Sequence, residues 1–234
     1  MPVSEIKNID NIKGMRQFPD KFFDIAFIDA PYGIGMSNIK TIGKKKNANV
    51  FTNYRPAIWD NARPKPAFWK EAHRVAKNLI VFGANYFTPF LQPSKGWVFW
   101  DKLQPADITF AMGEFIYTSF DIPAQKITIS SSVGKNNCSN NPRKVSGMKI
   151  HTSQKPIELY GYLMQKFCKP GCKIIVTHLG SGTSRAAAYI LGFDFWGFEI
   201  DKEMIKDSEK LFEEKAKGIQ IIDNVKVEQM RMFA

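Results

Sequence analysis

An α/β fold around a mostly parallel sheet is what this 234-residue chain predicts, on three observations. Short apolar runs alternate with helix-length amphipathic segments, the pattern of strands joined by crossover helices. Several runs end abruptly in polar residues followed by glycine or proline, where ligands of open α/β sheets bind. A hydrophobic content of 44% suffices for one substantial core, so a single domain over 1–234 is expected.

The elements follow in order. "FDIAFIDA" (23–30), "NLIVFGA" (78–84) and "WVFWD" (97–101) read as strands, with Trp97 and Trp100 packed in the last. Between the first two lies the helix "FWKEAHRVAK", whose Phe68, Trp69 and His73 read as core or surface rather than ligands. Residues 121–150 are rich in Ser, Asn and Lys with weak periodicity and read as a long mobile loop, the kind that is often functional. "PIELYGYLMQKFC" puts Ile157, Tyr160, Leu163, Met164 and Phe167 on one helical face, with Pro156 in the first turn. "KPGCKIIVT" gives a helix stop and a strand, "SRAAAYILG" a helix closed by Gly192, and "FDFWGFEID" a strand. "KEMIKDSEKLFEEKAKG" is an amphipathic helix with Met204, Ser208, Leu211 and Phe212 inward.

No apolar run reaches the roughly 20 residues of a membrane span, and the N-terminus lacks a basic-then-apolar signal pattern. Three cysteines, an odd number at irregular positions, suggest reduced thiols in a cytosol-like compartment. Cys168 and Cys172 have no second ligand pair for zinc, and no metal is expected. The net charge of +11 is unevenly placed. Lys40 to Lys77 holds ten basic and two acidic residues, and Gln125 to Lys149 five basic and no acidic ones. Two confined basic segments suit a polyanion as well as a merely solvated surface.

Four strand ends carry candidate site residues: Asp10, Asp29, the loop 177–184 and Glu199. "THLGSGTSRAAA" is a glycine turn between strand and helix, where Gly180 and Gly182 let the backbone approach a ligand. No Lys follows the second glycine, so it is not a P-loop. Glu199, after the next strand, stands where dinucleotide folds place an acceptor for ribose hydroxyls.

With "DAPYGIGM", "WDNARP", "NLIVFGANYFTPFLQPSKGWVFWDK", "HTSQKPIELYGYL", "THLGSGTS" and "GFEID" in this order, the chain resembles the permuted class of S-adenosylmethionine-dependent DNA amino-methyltransferases over nearly its whole length. The likeness is nearest to small phage-type adenine enzymes. It implies a Rossmann-like class I methyltransferase fold with circularly permuted motif order, double-stranded DNA as partner and the bacterial cytoplasm or nucleoid as location. An exocyclic base amine is a poor nucleophile, because its lone pair is delocalised into the ring. In the resemblance Asp29 and the Ala30 carbonyl accept its two hydrogens, Pro31 fixes the carbonyl's direction, and Tyr32 stacks on a base rotated out of the duplex. Methyl transfer is then an in-line displacement helped mainly by positioning.

The same resemblance implies the cofactor contacts. Asp10 and Asn11 lie at the adenine ring, Glu199 and the adjoining Ile200 at the ribose, and Asp29, Ser153 and Lys155 near the methionine end. His178, Leu179, Gly180, Ser181, Gly182 and Thr183 form the loop beneath. Lys44, Lys45, Lys46, Lys135, Arg143 and Lys144, from the two basic segments, are the expected DNA contacts, with the insertion at 121–150 as the base-reading candidate.

Two positions depart from the family. Ala30 replaces the first proline of the tetrapeptide, and Val176 stands where the strand before the cofactor loop usually ends in Asp. Losing a charge-assisted hydrogen bond costs about 1.5–3 kcal/mol, about tenfold to 150-fold in affinity. Asp29 favours adenine-N6 over cytosine-N4 as the target. An N4-cytosine enzyme, a DNA-binding protein with a weakened cofactor pocket and a nucleotide-dependent oxidoreductase stay open as alternatives, although the last leaves "DAPY" and "HTSQKP" unexplained. Oligomeric state is open between monomer and homodimer.

Overall fold

The computed structural model describes residues 1–34, 62–104, 111–130 and 154–217. Eight strands form one sheet: β1 (Ser4–Asn8), β2 (Phe23–Ile28), β3 (Ala76–Phe82), β4 (Trp97–Asp101), β5 (Gly113–Thr118), β6 (Gln125–Thr128), β7 (Lys173–Val176) and β8 (Asp194–Glu199). Their order is β1-β8-β7-β2-β3-β5-β4-β6, and only β5 runs against the rest. The central strands are covered on both faces, which is why "FDIAFI" is a near-continuous apolar run rather than an alternating one. Edge strands β1 and β6 are half-exposed and polar, so periodicity marks them poorly.

Helices α3 (Ile157–Phe167), α4 (Thr183–Leu191) and α5 (Lys202–Phe212) pack with Ile25, Phe27, Ile80, Phe82 and Val176 on one face of the sheet. On the other face α1 (Asn11–Met15) and α2 (Pro66–Val75) cover Phe23, Ala26, Ile28, Val81 and Phe198. Among the described residues no helix is long and apolar enough to cross a membrane. From β7 the chain crosses to β8 on one side; from β2 it crosses to β3 on the other. The order therefore reverses between β7 and β2, and beyond the carboxyl ends at such a switch point is the cleft in which open α/β sheets bind ligands.

Three boundaries differ from expectation. The segment read as a loop over 121–150 begins with an edge strand, since Gln125–Thr128 pairs with Val98–Asp101; residues 131–153 lie outside the description. The helix from Phe68 stops at Val75, because Ala76 already pairs with Phe23 of β2. Pro156 is extended and caps α3 from outside rather than sitting in its first turn.

Candidate active site

The β2 edge of the cleft carries Asp29, the residue after the strand. Lys155 Nζ donates to Asp29 Oδ1 at 2.5 Å, and the Tyr32 hydroxyl lies 3.2 Å from the same oxygen. The hydroxyl is closer to Glu114 Oε1, at 2.7 Å, and Lys155 Nζ is 3.4 Å from that oxygen. Lys102 Nζ completes the set at 2.9 Å from Glu114 Oε2. Two carboxylates and one ammonium group thus meet at one phenol, with Lys102 behind Glu114, and Lys155 and Glu114 are only 5% and 10% exposed. Glu114 and Lys102 are not among the site residues expected from the sequence; Glu114 lies within a strand that no quoted motif covers, and Lys102 closes the motif ending "GWVFWDK" without a role assigned to it there.

Burial alone would raise the Glu114 carboxyl, but Lys155 and Lys102 outweigh it and bring it down to about 2. Asp29 goes the other way: burial raises it, Lys155 pulls it back, and Glu114 adds to the rise. Burial would lower Lys155, yet Asp29 and Glu114 hold it above the ordinary lysine range. Burial, Glu114 and Asp29 all push the Tyr32 phenol well above its usual range.

The Tyr32 ring is fixed as firmly as its hydroxyl. It stacks on Tyr86 with centroids 5.0 Å apart and planes at 16°. A Cβ added at Gly83 would overlap it. Arg63 donates from Nε to the Tyr32 carbonyl at 2.9 Å and lies over the Tyr86 ring. Ala30, which lacks the family's proline ring, is 2% exposed in the apolar cluster of α2 and β3. One face of Tyr32 is therefore already covered, which narrows the stacking surface expected for a base.

Across the cleft the glycine loop follows β7. Gly180 and Gly182 both have positive φ, at +54° and +77°. A side chain at Gly180 would meet open space, so the loop's backbone is bare toward the cleft. Glu199 accepts from Gly180 N at 3.0 Å through Oε2, and from Ile200 N and Asp201 N at 2.9 and 3.0 Å through Oε1. Ile200 is 73% exposed beside it. Leu179, Ser181 and Thr183 are buried and hold the turn's underside.

Asp10 caps α1, accepting from Lys13 N at 3.0 Å. Its neighbour Asn11 reaches His178, with Nδ2 2.9 Å from Nε2, and Thr177 Oγ1 lies 3.0 Å from Nδ1. Asn Nδ2 can only donate, so Nε2 accepts and the ring proton sits on Nδ1, toward Thr177. Burial pushes His178 down to about 4 against the pull of Asp10, so the ring is neutral. Phe68 of α2 lies 5.2 Å from it. Val176 is fully buried among apolar residues and brings no acceptor to the cleft. The hydroxyl of Thr177, the next residue, is buried against the His178 ring.

Asp10, Asn11, Asp29, Ala30, Tyr32, Lys155, His178, the loop 179–183, Glu199 and Ile200 thus gather along one line of strand ends. Pro31 is half-buried between Ala30 and Tyr32. Ser153, Lys44, Lys45, Lys46, Lys135, Arg143 and Lys144 lie outside the described residues.

A sequence profile of the DNA methylase family matches residues 94–210, half of the chain, and the chain belongs to that family. Solved structures of similar fold include a Thermus thermophilus protein named as a putative DNA modification methylase and complexed with S-adenosyl-L-methionine. That protein is 15% identical, with a TM-score of 0.56 over 94% of this chain and 100% of the other. An M1.HpyAVI–SAM complex is 18% identical, with 0.54 over 88% and 98%. The cytosine-N4-specific PvuII DNA methyltransferase is 12% identical, with 0.59 over 99% and 92%. At these identities the likeness establishes the Rossmann-like methyltransferase fold. No curated protein matches the sequence.

Proposed function

We propose that the chain transfers a methyl group from S-adenosylmethionine to the N6 amino group of adenine in double-stranded DNA. The observation that carries this reading is the pairing of β2 with β7, which sets Asp29 opposite the glycine loop and Glu199 at a topological switch point. The cleft's chemistry suits the cofactor. A bare glycine backbone, a carboxylate anchored by three amides and the exposed Ile200 match a nucleoside, and Asp29 with Lys155 matches an amino acid's ammonium and carboxylate. When bound, S-adenosylmethionine supplies an electrophilic methyl group.

The protein's part is to turn a base amine into a nucleophile. Lys155 and Tyr32 both meet Asp29 at Oδ1, and Oδ2 is the oxygen assigned to the first amino hydrogen. The Ala30 carbonyl takes the second, and the nitrogen lone pair is then directed at the methyl group. On accepting the methyl group in exchange for the sulfonium leaving group, the amine nitrogen would have to shed one proton. Asp29, held above the usual carboxylate range by burial, is the adjacent acceptor. The preference for adenine rests on the resemblance, in which cytosine enzymes more often carry serine where this chain has Asp29.

The test is methyl transfer to unmethylated DNA followed by mass spectrometry of the nucleosides. N6-methyladenine is expected. N4-methylcytosine would keep the mechanism and overturn the base, and absence of product beside an active control would overturn the reading. The two basic segments serve as phosphate contacts in this proposal. Arg143→Ala or Lys144→Ala should weaken DNA binding and cut the salt slope by about 0.9 per lost contact, as read by fluorescence anisotropy across a salt series.

A further inference from the structure

The β4–β5 hairpin contributes a carboxylate that no motif of the methylase reading accounts for. The Glu114 side chain is 10% exposed, receives Lys102 on one oxygen, and has Lys155 and the Tyr32 hydroxyl at the other. Tyr32 has one proton and two carboxylates within reach: Glu114 at 2.7 Å and Asp29 at 3.2 Å. Its oxygen meanwhile lies 3.3 Å from Lys155 Nζ, which donates to it. The shorter contact takes the proton, since hydrogen-bond strength falls steeply with distance.

We propose that Glu114 is a positioning residue that holds the Tyr32 proton away from Asp29, so that Asp29 keeps its acceptor capacity for the substrate amine. This rests on the methyl-transfer reading above. Without the Glu114 carboxylate the phenol turns to the remaining one, and Asp29 then carries two short donors, Tyr32 and Lys155, on the oxygen it shares with them. Each lone pair given to the protein lowers the basicity left for the base amine. Lys155 and Lys102 are the counter-charges that let Glu114 remain ionised at 10% exposure. The stacked ring of Tyr86 and the bare Gly83 keep the phenol in the plane where this choice of acceptor is made.

The experiment is a double-mutant cycle with Glu114→Gln and Tyr32→Phe. Glu114→Gln keeps the shape but offers a weaker acceptor, and single-turnover transfer should fall about tenfold. Cofactor affinity by calorimetry should stay within about twofold of the native protein. In the Tyr32→Phe background, where there is no proton to misdirect, the same substitution should cost less than about threefold, a coupling of the two sites. Additive losses, or a rate loss mirrored in cofactor affinity, would overturn the proposal.

A second readout needs neither activity nor DNA. With tyrosine labelled at Cζ, the Tyr32 resonance, assigned by its absence from Tyr32→Phe, reports the hydroxyl's partner. The groups facing it are Asp29, Glu114 and Lys155, with Lys102 on the far oxygen of Glu114. Glu114→Gln should shift that resonance and lower the pH at which Tyr32 ionises. An unchanged resonance and titration would overturn the assignment whatever reaction the protein proves to catalyse, and an inactive native protein with the shift present would count against the methyl-transfer reading alone.

Discussion

On the β7 side of the cleft the polar groups are backbone amides, a neutral imidazole and one carboxylate tied to three N–H groups. On the β2 side they are four charges, 5 to 23% exposed, from four separate segments. The difference sets how each side fails. A site built from backbone loses affinity in proportion to the contact removed. A site built from mutually paired charges leaves a buried partner uncompensated when one member goes, which is far more damaging than the pair's net value suggests.

The largest effect is therefore expected on the β2 side. Asp29→Ala should lower methyl transfer by about 10²–10³-fold, measured in a single turnover at saturating cofactor. It also strips Lys155 of its nearest carboxylate. A loss of only a fewfold would mean that the amine is activated elsewhere.

That asymmetry also decides what could be read in the sequence. Tyr32 and Lys155 are marked only by the resemblance and its motifs, whereas the positions of Asp29 and Glu199 are legible from the chain itself, because each stands at the end of a local apolar run. The parallel core and the crossover helices were legible for the same reason, since apolar periodicity is local. Glu114 and Lys102 were not. Glu114 matters because it meets Lys155 and Tyr32, about 40 and 80 residues away in the chain, and Lys102 matters only through Glu114; a lone Glu in "GEFIYT" looks like any edge charge. Strand β6 escaped the periodicity because a half-exposed edge strand needs little apolar content. Val176 is visible in the sequence as a departure, but only the fold shows that its side chain lies in the core and that Thr177 is already engaged.

Glu199→Gln tests the β7 side at the next level down. Cofactor affinity should weaken about 10–150-fold, while transfer at saturating cofactor stays within about threefold, because the carboxylate touches no reacting atom. Calorimetry and single-turnover rates separate the two. A loss confined to the rate would reverse the comparison.

Two glycines sharpen it further. Gly83→Ala places a methyl group in the Tyr32 ring at a φ of +56° and should destabilise the fold by about 1–3 kcal/mol, with a matching loss of activity. Gly180→Ala carries similar backbone strain, at +54°, but meets open space. Its folding cost should be near 1 kcal/mol, its effect showing instead as weaker cofactor binding. Chemical denaturation beside calorimetry distinguishes them.

Acid titration gives the most separable difference. His178 has a folded pKa of about 4 against an ordinary 6.5, so below pH 6.5 the unfolded chain binds a proton that the folded chain refuses. The stability it contributes is full above 6.5 and is lost as pH falls toward 4, with a slope of up to about 1.4 kcal/mol per pH unit. Glu114, brought from 4.5 to about 2, acts later: its contribution is full above 4.5 and disappears on the way to 2. Asp29 has the opposite sign, because its raised carboxyl binds its proton more readily when folded, and acid partly relieves it. Urea denaturation of native protein and His178→Gln at pH 7, 5.5 and 4.5 should show the native protein losing more stability across that span. Parallel losses would place the imidazole in water and remove it from the β7 wall. A difference confined to that span, with Glu114→Gln diverging only below it, would show the two sides of the cleft titrating independently.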